Sequence, residues 1–173
     1  LPKIFELTLH NGLDTRTGKQ LGPQSGDPES FQSFDELLAA FREQVRYFID
    51  VKIRGSAVIE QIYAEEMPVP FLSLLIDDCI ARGTDYNAGG ARYNSSYIQG
   101  VGLGTVTDCL SAVRHHVFEA KTMTMHDLHT VLAAEFDGYE KTRLLLWNKT
   151  PQYGNDDSRA DALMNEVFEI YFG

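Results

Sequence analysis

Apolar residues recur every three or four positions along most of this chain, and glycine or proline marks the breaks between the runs. Residues Ile4 to His10 read as the end of a helix closed by Asn11-Gly12, because these two residue types tolerate the left-handed backbone of a helix terminus. LDTRTGKQLGPQSGDPES follows, roughly 18 polar residues that predict a long loop with a hairpin at Thr17-Gly18. SFDE then predicts a capping box, in which the Ser33 hydroxyl accepts the Glu36 amide and the Glu36 carboxylate reaches back. Leu37, Leu38, Phe41, Val45, Phe48 and Ile49 keep helical spacing, as do Val58, Ile59 and Ile62. Phe34 to Glu66 is therefore one long helix or two, with Gly55 as the break. The prolines of MPVPFLS stop the pattern. A helix from Leu72 to Arg82 is expected to end at Gly83.

Ala91 to Gln99 carries Tyr93, Tyr97 and Ile98 and predicts a short strand. Thr105 to Phe118 reads as a helix with Val106, Leu110, Val113 and Val117 on one face. TMHD, Thr124 to Asp127, signals the start of another helix reaching about Phe136. Glu140 to Asn148 is helical, KTPQYGNDD is a loop, and Asp157 to Phe172 is a final amphipathic helix. The sum is mainly helical, with one or two short strands. A lone strand leaves backbone groups unpaired, and the apolar helix faces call for neighbours. The chain also opens without Met, partway into a helix. The expectation is a segment of a larger domain, truncated at both ends.

Charge narrows the function classes. The formal net charge of the 173 residues is -10, which disfavours nucleic acid and anionic membrane surfaces as partners. No apolar run reaches the ~18 residues of a membrane span, and LPKIFELTLHNG lacks the parts of a signal peptide. Two cysteines do not make a disulfide framework, so a reducing cytoplasm is the expected location.

Candidate chemistry begins at the glycines. Gly100, Gly102 and Gly104 alternate, but Thr105 stands where the third glycine of a dinucleotide fingerprint belongs, and no Gly-Lys-Ser/Thr is present. A nucleotide-binding oxidoreductase would rest on this loop alone. The plainer reading is close backbone approach; an intermediate one is a helix N-terminus facing a buried pocket. His126 and His129 lie three apart on one helix face, yet HExxH is absent, and His115-His116 point apart. Surface or interface roles are expected for all four, and no metal site. Cys79 and Cys109 read as buried, inert thiols, Cys79 next to Asp77-Asp78. The pairs Asp77-Asp78 and Asp156-Asp157 are sequence neighbours and do not share a helix face, so neither is a carboxylate dyad. Arg92-Tyr93-Asn94 is the best polar cluster, either a pocket wall or an anchor for the turn.

GKQLGPQSGDP, SFDELLAAFREQVRYFI, PVPFLSLLIDDCIARG, GGARYN, IQGVGLGTVTDCLSAVRHHVF and NKTPQYGNDD, in this order, resemble the glycyl radical enzymes. The likeness is nearer the branch similar to choline trimethylamine-lyase, isethionate sulfite-lyase and the glycyl radical dehydratases. It implies the α/β class: a segment of a ten-stranded pyruvate formate-lyase-like barrel, residues 1–173 being part of that single domain. It implies an anaerobic lyase that breaks a C–N, C–S or C–O bond of choline, isethionate or a diol or hydroxy compound. A stored glycyl radical would generate a thiyl radical, which abstracts hydrogen from the substrate. A radical SAM activating enzyme would install the radical, and a homodimer is implied. The family's Gly-Cys-x-Glu and Arg-Val-x-Gly-Tyr motifs are not in this segment, so no catalytic residue carries over and the segment alone is expected to be inactive. Tyr93, Asn94 and Gln99 are the candidates for the substrate pocket. The alternative is a non-catalytic helical interaction module or partner subunit.

Overall fold

Burial divides this chain. In a computed structural model, which describes residues 1–172, one compact unit comprises Leu1–Phe48 with the chain from Gly100 onward, and a second comprises Ile49–Gln99.

In the first unit, helix α1 (Pro2–Leu9) buries Phe5, Leu7 and Leu9. It ends as its sequence requires: Asn11 and Gly12 take positive φ, and the Gly12 amide donates to the Leu7 carbonyl at 2.7 Å. The hairpin expected at Thr17-Gly18 is present, with β1 (Leu13–Asp14) antiparallel to β2 (Lys19–Gln20). Gly18 has φ 68°, and Lys3 bonds Asp14 at 2.6 Å. The loop after β2 is pinned to the start of α2 (Phe34–Glu66) by the buried Gln44, whose amide donates to the Pro23 carbonyl at 2.6 Å and the Ser25 hydroxyl at 2.9 Å. The Ser33 hydroxyl accepts the Glu36 amide at 3.3 Å as expected, while the Glu36 carboxylate accepts one residue earlier, from the Gln32 amide.

Helix α5 (Leu103–Val113) packs on α8 (Ser158–Phe172) and on α1. Val106 and Leu110 on α5 are fully buried, as are Leu163 and Val167 on α8 to within a trace. The Thr107 hydroxyl turns to the Leu103 carbonyl at 2.9 Å, and the Ser111 hydroxyl donates to the Pro151 carbonyl at 2.6 Å. Phe5 meets Phe41 edge to face, centroids 5.9 Å apart. Fully burying such a ring is worth about 1.5–3 kcal/mol. The expected helix to Phe118 becomes a π-helix over Arg114–Glu119. Helix α6 (Met125–Ala133) opens on the complete Thr124–Asp127 capping box and stops short of Phe136, where Glu135 and Phe136 turn left-handed. Helix α7 (Glu140–Lys149) buries none of its residues.

Two expectations fail in the second unit, and one open choice closes. Of one long helix or two over Phe34 to Glu66 the first holds: α2 runs unbroken through Gly55, because one interior glycine costs only about 1 kcal/mol, too little to divide so long a helix. The single helix from Leu72 to Arg82 is two, α3 (Pro70–Ser73) and α4 (Asp77–Arg82), because Ser73 is held at the end of α3 by Asp85 and Tyr86. Ala91 to Gln99 forms no strand: among the described residues the only strands are β1 and β2, which pair with each other. Gly83 does close α4 in the left-handed region, φ 60°.

Candidate functional site

The turn leading to the polar cluster is organised by Asp85. Its carboxylate accepts the Val69 amide at 2.9 Å, the Ser73 hydroxyl at 2.7 Å and the Asn87 amide at 2.9 Å. Ser73 in turn accepts the Tyr86 amide at 2.9 Å, and the Asn87 side chain donates to the Met67 carbonyl at 2.7 Å. Burial works to raise the Asp85 carboxyl, but the bonds from Ser73, Asn87 and Val69 outweigh it and hold it below its ordinary value. The sequence offered a signal for this residue, an Asp two positions before Asn in a turn-rich stretch.

Gly89 and Gly90 follow for steric reasons. Gly89 has φ 84°, and a Cβ on Gly90 would lie 2.1 Å from the Thr84 carbonyl oxygen and 2.8 Å from the buried Cys79 sulfur. Arg82 reaches the Gly90 and Ala91 carbonyls at 3.5 and 3.4 Å, and Arg92 pairs with Asp78 at 3.3 Å. Arg92 thus anchors the turn. Tyr93, Asn94 and Gln99 lie on the irregular stretch beyond it, all exposed, Tyr93 to 87%. Asn94 turns its amide toward Gly89, where an added Cβ would come within 3.2 Å. Ser96 bonds Glu60.

In the first unit the glycine loop serves packing. Gly102 caps α5 with φ 82°, and a Cβ there would lie 2.5 Å from the Pro2 ring; Gly100 faces the Tyr171 ring, 3.2 Å from such an atom. An apolar groove of about 1040 Å³ in this unit is walled by α1, α5, α6 and α7 through Phe5, Leu9, Cys109, Leu128, Leu132 and Trp147. Cys109 is exposed on that wall, which corrects the expectation that it is buried: it sits at the edge of the buried face of α5 formed by Val106, Leu110 and Val113, where the groove opens. Desolvation pushes its thiol up, and the Asp108 carboxylate adds to this, so it is a poor nucleophile, as expected. Cys79 is buried, also as expected.

The histidines are more organised than their spacing suggested. Glu29 accepts from His126 Nδ1 at 3.2 Å and from His129 Nδ1 at 3.1 Å. His129 stacks on His10, centroids 5.3 Å apart and planes 23° apart. His116 is buried rather than on the surface, with Nδ1 2.9 Å from the Thr122 hydroxyl, and burial followed by His115 lowers its pKa. Among the described residues no group of three or more His, Cys, Asp or Glu is arranged to hold a metal ion, and no helix is long and apolar enough to cross a membrane.

Residues 1–173 match the family described as pyruvate formate lyase-like. The chain belongs to this family of glycyl radical enzymes. It is 54% identical to the trans-4-hydroxy-L-proline dehydratase of Clostridioides difficile over 99% of its own length and 22% of that protein's. A crystal structure of that dehydratase with trans-4-hydroxy-L-proline bound superposes with a TM-score of 0.93, at the same coverage. The glycerol-bound B12-independent glycerol dehydratase of Clostridium butyricum gives a TM-score of 0.88 at 36% identity, covering 98% of this chain and 21% of that one. An isethionate sulfite-lyase of Desulfovibrio desulfuricans is 36% identical over 95% of this chain and 20% of its own. The chain spans about a fifth of the length of these relatives, and its helices match one segment of their fold.

Proposed function

We propose that the polypeptide carrying this chain is a glycyl radical dehydratase that removes water from a small hydroxylated substrate. Trans-4-hydroxy-L-proline is the first compound to test. The observation that carries this reading is the 54% identity, sustained over 99% of the chain and joined to a TM-score of 0.93, with a dehydratase of that substrate. Likeness to a glycerol dehydratase and an isethionate sulfite-lyase supports breakage of a bond from carbon to oxygen or sulfur as the wider reaction class. In this reading a thiyl radical, formed at the expense of a stored glycyl radical, takes a hydrogen atom from the substrate carbon. The adjacent C–O bond then breaks, the hydroxyl departs as water with a proton from an acid group, the hydrogen returns from the thiol, and the proton that the cationic product gives up from its remaining heteroatom restores the acid. The thiyl cysteine, the radical glycine and the acid all lie on polypeptide outside these residues.

Tyr93, Asn94 and Gln99 are the chain's contribution to the substrate pocket. Their exposure and hydrogen-bonding capacity support this role. A radical SAM activating enzyme installs the radical, the assembled protein is a cytoplasmic homodimer, and the 173-residue chain by itself turns nothing over. The test is anaerobic activation of the intact polypeptide with such an enzyme and S-adenosylmethionine. A glycyl doublet in electron paramagnetic resonance and consumption of trans-4-hydroxy-L-proline are expected. A doublet with turnover of glycerol or isethionate instead would move the substrate within the family, and absence of the doublet would refute the radical reading. Asn94→Ala and Gln99→Ala are expected to raise KM at least tenfold while leaving the doublet intact.

A further inference from the structure

We propose that the stack of His10 on His129 is a proton-sensitive latch between α1 and α6, closed at neutral pH and released by acid. Both helices wall the apolar groove, and His10 itself lines it. His129 presents Nδ1 to Glu29, while its Nε2 is buried with no hydrogen-bond partner among the described residues. A proton taken up by His10 would place its charge 5.3 Å from the His129 ring across a closely parallel stack.

The groups around the pair do not relieve this. From α1, Lys3 and Glu6 act on His10 in opposite senses, and Lys3 holds Glu6 at 2.7 Å and Asp14 at 2.6 Å. From α6, His126 shares Glu29 with His129. Glu29, from the short turn at Pro28–Ser30, is the one carboxylate bonded to the pair, and it bonds only the His129 side. The His10 pKa is lowered, first by burial and then by His129. The sign follows directly. The stacked form of His10 takes up a proton less readily than a released His10, whose pKa is the ordinary one of roughly 6.5. The latch is complete above that value and weakens as the pH falls through it.

Hydrogen–deuterium exchange on the intact polypeptide carrying this chain tests the idea, read on peptides spanning α1 and α6 at pH 7.5 and 5.5 and corrected for the intrinsic pH dependence of exchange. A severalfold acid-induced rise in exchange is expected in the wild type. His10→Phe, which keeps an aromatic ring but cannot titrate, is expected to abolish that rise. His129→Phe is expected to do the same and serves if the first variant does not fold. An unchanged acid response in a folded variant, or none in the wild type, overturns the latch.

Discussion

The two units of this chain are built on different physics. Between Leu1 and Phe48, and again from Gly100 onward, apolar faces close on one another, and Leu37, Phe41, Val45, Val106 and Leu110 have no accessible surface. Between Ile49 and Gln99 only Cys79 and Gly90 are buried among the described residues, while Phe71 and Leu75 are more than four-fifths exposed. That region is shaped instead by hydrogen bonds that converge on Asp85. Hydrophobic burial scales with area and tolerates small shifts. A polar hub depends on each bond being made. The difference explains why the candidate pocket residues sit on irregular backbone beside a rigid turn. It also fits the proposal that the second unit is completed by polypeptide outside these residues.

Substitutions in the intact polypeptide carrying this chain would break or sharpen this contrast. The largest effect is expected for Phe41→Ala, a loss of about 3–5 kcal/mol read from urea midpoints, because the cavity opens beside Phe5 in a filled core. Ile59→Ala, half exposed, is expected to stay within about 0.5 kcal/mol, and a loss comparable to Phe41→Ala would erase the distinction between the units. Asp85→Ala strands the Val69 and Asn87 amides and the Ser73 hydroxyl, and a local loss of about 1–3 kcal/mol is expected, visible as faster amide exchange around residues 69–90. Gly55→Ala is expected to stabilise by about 0.5–1 kcal/mol, since nothing lies within 4 Å of the added methyl and the position is interior to a helix.

The smallest effect concerns pH. The bond from Lys3, then that from the Thr17 hydroxyl, lowers the Asp14 carboxyl to about 2. Its ordinary value is roughly 3.9. A carboxyl depressed on folding contributes stability that is fully present above the unfolded value and is lost as pH falls through the folded one. The hairpin is therefore expected to hold at pH 5 and loosen between roughly pH 4 and 2. The carbon-13 titration of the Asp14 carboxyl checks this, and a midpoint near 4 would refute it.

Much of the first unit was legible because its signals are local. Asn11-Gly12, Thr17-Gly18 and the Thr124–Asp127 box each act within a few residues, and each forms as read. The misreadings have non-local causes. The tyrosines and Ile98 favour a strand only if another strand lies alongside, and none does among the described residues. Ser73 ends α3 because a carboxylate twelve residues away holds it. The Cys109 exposure and the stack of His10 on His129 both depend on which helices pack together, and periodicity does not carry that information.

By itself, then, the order of residues determined the helical character, the locally capped helix ends such as Asn11-Gly12, Gly83 and the Thr124–Asp127 box, the acidic charge and the family likeness, because capping, turn chemistry and amphipathic spacing act over a few residues. Tertiary structure alone decided which apolar faces find partners, where Asp85 draws the turn together and which imidazoles meet. Those outcomes depend on groups far apart in sequence being brought within bonding distance.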